Sequence, residues 1–113
     1  TVARYRVVQA ARLYRNEIAI AAYPSTLSRT VAAQAADELL NISGILTSFV
    51  LYPAGEQVII SARSIGECNV QVVLEALGGG GNAATAGAQV KGKPLREVLE
   101  ALVASIDKFY ENS

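Results

Sequence analysis

The sequence predicts a single α/β domain, a mixed β-sheet of about five strands with helices packed on it. Three observations carry this. Apolar, strand-like runs ("IAIAAY", "ILTSFVLY", "VIISARS") alternate with helix-like segments. The helix-like segments place apolar residues three and four apart. The length, 113 residues, suffices for one core and not for two.

The elements follow in order. "YRVVQAARLY" fits a short helix or an irregular strand, and periodicity does not decide between them. "RNE" (Arg15 to Glu17) reads as a turn. Ile18 to Tyr23 reads as a strand buried on both faces, broken by Pro24 and Ser25. "TLSRTVAAQAADELLNISG" reads as a helix with Thr26 or Ser28 as N-cap. Val31, Ala35 and Leu39 form its stripe, with Ala32, Ala36 and Leu40 alongside. The alanines permit close approach to a sheet, and Gly44 ends the element as a C-terminal glycine would.

Ile45 to Tyr52 is β-branched and aromatic on both faces, so it belongs in the middle of a sheet. "PAGEQ" is a turn, and Val58 to Ser64 is the partner strand of a hairpin. Asn69 is placed to cap a helix over 69–77, with Val70, Val73, Leu74 and Leu77 at helical spacing. Four consecutive glycines follow, Gly78 to Gly81. Residues 86–91 read as a short strand. The last helix starts near Pro94, and Leu95, Val98, Leu99, Leu102, Val103, Ile106 and Phe109 form its apolar face.

Composition narrows the function. The chain is 51% apolar, as a folded domain is, yet has no run near the roughly 18 residues of a membrane span. Arg4, Arg6, Gln9 and Arg12 interrupt any signal-peptide core. The first residue is Thr, which suggests a piece of a longer protein. Cys68 is the sole cysteine, so no internal disulfide forms and a reducing, cytoplasmic setting is the simplest expectation. It has no basic neighbour in sequence and reads as structural. Ten basic and ten acidic residues cancel, against a whole-surface attraction for polyanions. There is no histidine, which removes imidazole catalysis and Cys/His zinc sites. Scattered carboxylates give no two-metal centre. The chain reads as a binding domain with no catalytic residue and no metal ligand of its own.

Four glycines in a row carry a large entropy cost, so something needs bare backbone there. One use is a cradle in which backbone N–H groups hold a phosphate. "NAATAG" then reads as one helical turn starting at Asn82 and ending at Gly87, its free N–H groups adding positive charge. The run lacks the Gly-Lys-Ser/Thr of a P-loop and the spacing of a dinucleotide fingerprint. A flexible linker is the plainer alternative, but the run lies between two apolar elements and contains no serine or charge. In "SARS", alternation puts Ser61 and Arg63 on one face, and Arg63 at the strand end suits a phosphate. A solvated arginine is the alternative. A helix over 69–77 would carry the chain back so that loop and Arg63 line one pocket. Gln71, Glu75 and Gln89 are candidates for a nucleobase edge and Tyr52 for stacking, against the simpler expectations of exposure and packing.

The stretch "FVLYPAGEQVIISARSIGECNVQVVLEALGGGGNAATAGAQV" resembles the DHH-associated domain, the second lobe of DHH-superfamily phosphoesterases. "AAQAADELLNISGI", "ISARSIG" and "NVQVVLEALGGGG" look most like the branch of membrane-anchored cyclic-di-AMP phosphodiesterases. The resemblance runs from about Ile18 to Tyr110. It implies that residues 1–113 are a substrate-binding domain cut from a larger enzyme, with 1–17 as the connection between lobes. It implies that Ser61, Arg63 and Ser64, with Gly78, Gly79, Gly80, Gly81 and Asn82, line the substrate cleft. It implies a cyclic or linear dinucleotide as ligand, and a catalytic DHH lobe of the same parent chain as partner. That lobe would hold manganese. A homodimer, a cytoplasmic location and a membrane anchor elsewhere in the parent are further implications, with no membrane contact by this chain. The family motif ends in glycine-glycine-glycine-histidine, and the histidine position here is Asn82. An asparagine still donates a hydrogen bond but carries no positive charge or labile proton. A nuclease of short single strands and a noncatalytic nucleotide sensor are the alternatives.

Overall fold

A computed structural model describes residues 2–112. Among these, α1 (Val2–Ala10), β1 (Arg12–Tyr14) and β2 (Ile18–Ala22) open the chain, followed by α2 (Arg29–Leu39). The hairpin β3 (Thr47–Ala54) and β4 (Gln57–Ser64) comes next, then α3 (Val70–Glu75). The short β5 (Gly80–Gly81), β6 (Thr85–Lys91) and α4 (Leu95–Glu111) complete it. The strands form one six-stranded mixed sheet in the order β1-β2-β3-β4-β6-β5. Only β2 and β3 run parallel, joined through α2, and the remaining pairs are antiparallel. The expected class is therefore observed, with six strands where the sequence suggested about five.

The sheet separates two cores. On one face, α3 and α4 bury Val70, Val73, Leu74, Val98, Leu102 and Ile106 against Phe49, Leu51, Ile60 and Ala62. On the other, Ala32, Ala35, Ala36 and Leu39 of α2 pack with Val7 of α1 on Ala19, Ala21, Val50 and Tyr52. The alanine stripe is what lets α2 lie so close: the buried Ser48 hydroxyl on β3 reaches the Ala36 carbonyl at 2.7 Å. Ser28 is the N-cap, its Oγ accepting from the Val31 N–H at 3.1 Å.

Several boundaries differ from expectation. The ambiguous first segment contains both a helix and a strand, and it is folded onto the domain through buried Val7 and the β1–β2 pairing. The "RNE" turn is present, with Arg15 and Asn16 both at positive φ, the backbone of a tight hairpin loop. Arg15 is held there by a 3.0 Å ion pair to Asp107 and by the Tyr110 ring, 4.8 Å from its guanidinium carbon. Helix α2 stops at Leu39, and Gly44 closes the following turn instead of the helix. The hairpin turn is tighter than "PAGEQ": Pro53 and Ala54 are already paired with Val58 and Gln57.

Candidate functional site

Alternation along β4 sends Ile60, Ala62 and Ser64 to the α3–α4 face and Ile59, Ser61 and Arg63 to the α2 face. Ser64 is therefore not beside Ser61 and Arg63. It is buried, its hydroxyl 3.1 Å from that of Thr47, and it accepts from the Gly66 N–H at 3.3 Å. Period-two alternation already separates it from its neighbours.

Helix α2 lies over β3 and β4, with α1 over β2, and leaves the β6–β5 end of this face open. Ser61 pairs with Gly87 of β6, and Gly87 pairs with Gly80 of β5. One row across three strands thus presents a hydroxyl and two bare backbones on the same open face. One row further, Arg63 pairs with Thr85, beside Asn82. The structure so brings Ser61, Arg63, Gly80, Gly81 and Asn82 together at one end of the sheet.

Arg63 is held in place. Its Nε donates to Asp37 Oδ1 of α2 at 3.0 Å, and one Nη donates to the Ala62 carbonyl at 2.8 Å and to Ser61 Oγ at 3.4 Å. The guanidinium is mostly covered while the Asp37 carboxylate is exposed, so Asp37 orients Arg63 from the solvent side. The other Nη of Arg63 makes no bond among the described residues.

The glycine run divides by task. Gly78 has φ +82 and ends α3, its N–H going to Glu75 and that of Gly79 to Leu74. A Cβ on Gly79 would lie 2.4 Å from the Gly87 carbonyl oxygen. One on Gly81 would lie 2.4 Å from that of Thr85. These two let the chain press against β6. Gly80 alone has neither a positive φ nor a neighbour within 4 Å of its missing Cβ. Its bare face looks into open space beside Gly87.

The expected helical turn after the run is absent. "NAATAG" forms the β5–β6 hairpin turn, and Gly87 lies inside strand β6. Asn82 Oδ1 accepts from the Ala84 and Thr85 N–H groups at 2.9 Å each, and its own N–H donates to the Thr85 carbonyl at 2.8 Å. With the N–H groups of Gly78, Gly79 and Asn82 so engaged, the run offers a flat floor more than a ring of donors.

A cavity of about 470 Å³ opens over this floor, lined by Gly78, Gly79, Gly80, Gly87, Gln89 and Arg29 among others. Arg29, the first residue of α2, was not singled out by the sequence. Its only signal was a cation beside the Ser28 cap, a position as common on plain surfaces. Gln89 does reach the cavity, whereas Gln71 and Glu75 bond each other on the surface of α3 at 3.4 Å. Tyr52 is packed beneath α2. Cys68 is buried, and burial pushes its thiol pKa up, as a structural cysteine requires. Among the described residues, no group of three or more His, Cys, Asp or Glu side chains can hold a metal. The residues present do not fit a manganese pair. No helix among them is long and apolar enough to cross a membrane.

Residues 16–112 match the DHHA1 domain. The chain belongs to the DHHA1 domain family. It is 41% identical over 115 residues to the cyclic-di-AMP phosphodiesterase GdpP of Bacillus subtilis, across 97% of this chain and 18% of GdpP. It is 38% identical over 111 residues to the cyclic-di-AMP phosphodiesterase PdeA of Listeria monocytogenes, across 96% of this chain and 17% of PdeA. The DHHA1 chain thus spans under a fifth of these relatives. Its fold matches an exopolyphosphatase-related protein from Bacteroides fragilis with a TM-score of 0.79 at 19% identity, over 96% of this chain and 35% of that one.

Proposed function

We propose that this DHHA1 domain is the nucleotide-binding lobe of a larger cyclic-di-AMP phosphodiesterase. One observation carries the reading: the α2 face of the sheet changes from apolar side chains to Ser61 and Arg63 on β4, and just beyond them it is left open over the bare backbone of Gly87 and Gly80. A planar base lies flat on bare glycine backbone, and the Ser61 hydroxyl and the free Arg63 Nη donate to phosphate oxygens. The identity to phosphodiesterases acting on cyclic-di-AMP supports the ligand class. Manganese and the bond-breaking groups belong to a DHH lobe elsewhere in the parent chain, which closes over the groove and meets the phosphodiester there. The work of this chain is to bind and orient.

A noncatalytic nucleotide sensor is the second reading. It is favoured by Asn82, whose carboxamide oxygen is spent on the hairpin turn and which brings no proton to the groove. The zero net charge weighs against a long nucleic acid, which needs a basic track.

Calorimetric titration of the chain with cyclic-di-AMP, linear diadenylate and a short single-stranded RNA tests this. Both dinucleotides should bind, and Arg63→Ala should weaken them by roughly tenfold, the loss of one charged hydrogen-bond donor. Equal or tighter binding of the RNA would replace the dinucleotide reading. No binding of any of the three at millimolar ligand would overturn it.

A further inference from the structure

We infer that residues 2–14, helix α1 and strand β1, form a strap that opens from the rest of the domain as one unit, with Asp107 of α4 as its catch. Release of the strap turns β2 into the edge of the sheet and uncovers apolar surface on both faces. The first observation is how little of the strap is buried. Val7 is its one buried residue, whereas Val2, Tyr5 and Leu13 are each at least 60% exposed. Strand β1 stands at the sheet edge and pairs with β2 through three residues. The 3.1 Å ion pair of Arg4 with Glu38 is partly exposed at both ends, where such a pair adds little.

The second observation is the packing beneath the strap. A cavity of about 400 Å³ is lined by Ala10, Arg12 and Leu13 of the strap and by Ile20, Leu99 and Val103 of the body. Another, of about 330 Å³, is lined by Val8, Ala11 and Leu13 of the strap and by Leu39, Ile42 and Ile45 of the body. The strap thus meets the body across gaps on both faces of the sheet, and a gap forfeits the contacts that hold a segment down. By contrast, α4 buries Val98, Leu102 and Ile106 completely. The residues matched to the DHHA1 domain begin at 16, just beyond the strap, so the body is the unit that the family model describes.

The third is the hinge and its catch. The turn that joins the strap to β2 holds Arg15 at φ +53 and Asn16 at φ +66, a region that an arginine rarely adopts. Opening relieves that conformation. What opposes opening is gathered on one carboxylate oxygen. The Tyr14 hydroxyl donates to Asp107 Oδ1 at 2.5 Å, and Arg15 Nε donates to the same oxygen at 3.0 Å. The Arg15 guanidinium also lies over the Tyr110 ring. These contacts grip the junction of strap and body. Only Ala11 separates α1 from β1, and its N–H donates to the Val8 carbonyl at 3.2 Å, so helix and strand move together.

Hydrogen exchange of the whole chain, read by NMR at rising sub-denaturing urea, tests the strap in wild type, Asp107→Ala and Glu100→Ala. Glu100 is exposed on α4 and takes no part in the catch, so its replacement controls for the loss of a helix carboxylate. In wild type the amides of α1 and β1 should exchange through one opening, at least tenfold faster than those of the central β3–β4 hairpin and with weak urea dependence. Asp107→Ala should speed that opening roughly tenfold, and Glu100→Ala should leave it within about twofold. Strap amides that exchange in step with the hairpin, with the same steep urea dependence, would overturn the strap by making it part of the global fold. Faster exchange of β1 alone in Asp107→Ala, with α1 unchanged, would overturn the single unit. Equal acceleration by both variants would overturn the catch. The wild-type rates decide for or against the strap even where Asp107→Ala does not fold.

Discussion

The two faces of the sheet are built from the same strands to opposite ends. Under α3 and α4, Phe49, Leu51, Ile60 and Ala62 are at most 1% exposed, and Ser105 of α4 ties its hydroxyl to the Val73 carbonyl of α3 at 2.6 Å. That face is closed by apolar packing along its length. Under α1 and α2 the apolar packing runs over β2, β3 and Ile59 of β4. Beyond it the alternate residues of the same β4 strand are a serine and an arginine. Period-two alternation gives one strand two different faces: Ile60 and Ala62 lie in the apolar core, while Ser61 and Arg63 point to the α2 side. Substitutions on the two faces should therefore separate stability from binding.

The largest effect is expected on the closed face. Leu102→Ala, at a fully buried site, should cost about 2–5 kcal/mol in denaturant unfolding. Any loss of ligand binding should then follow only the unfolded fraction. Next come the glycines. Gly81→Ala places a Cβ against the Thr85 carbonyl and should cost about 1–3 kcal/mol, with lost amide protection in the β5–β6 hairpin. Gly80→Ala, one residue away, should leave stability within about 1 kcal/mol of wild type and still weaken nucleotide binding. A Gly80→Ala variant that destabilises like Gly81→Ala would show that all four glycines serve the fold alone.

A smaller effect lies at Asp107. The Tyr14 hydroxyl bond, aided by Arg15, holds its carboxyl below the ordinary 3.8. A carboxyl depressed in the folded state adds stability above its unfolded pKa, and that increment fades as pH falls through the folded value. Asp107→Asn should thus be less stable than wild type at neutral pH. The gap should close below about pH 4 in unfolding curves taken down to about pH 2. The smallest change is expected for Tyr52→Phe, which removes a hydroxyl that no residue satisfies. The melting temperature should hold or rise slightly.

Long, periodic segments were legible in the sequence. The apolar faces of α2 and α4, the Asn69 cap and the β3–β4 hairpin all follow local rules, and so did the class of the fold. β1 was not legible, because three residues with mostly exposed side chains leave no alternation to detect. β5 was hidden because glycines have no side chains to pattern. "NAATAG" was misread for a chemical reason. Asn82 takes the N–H groups two and three residues ahead, which is the same bonding as a helix N-cap. Only the pairing of Thr85–Lys91 with β4 decides for a hairpin. At the candidate site, Ser61, Arg63 and the glycines were marked by motif, but Arg29 enters only through the packing of α2 across the sheet.

The most direct test of the account is an amide chemical-shift map of the chain titrated with cyclic-di-AMP. The account predicts shifts at Ser61, Arg63, Gly80, Gly87 and Gln89 on the open face, with Leu74, Leu102 and Ile106 on the closed face unmoved. Shifts centred on α3 and α4, or none at saturating ligand, would contradict it.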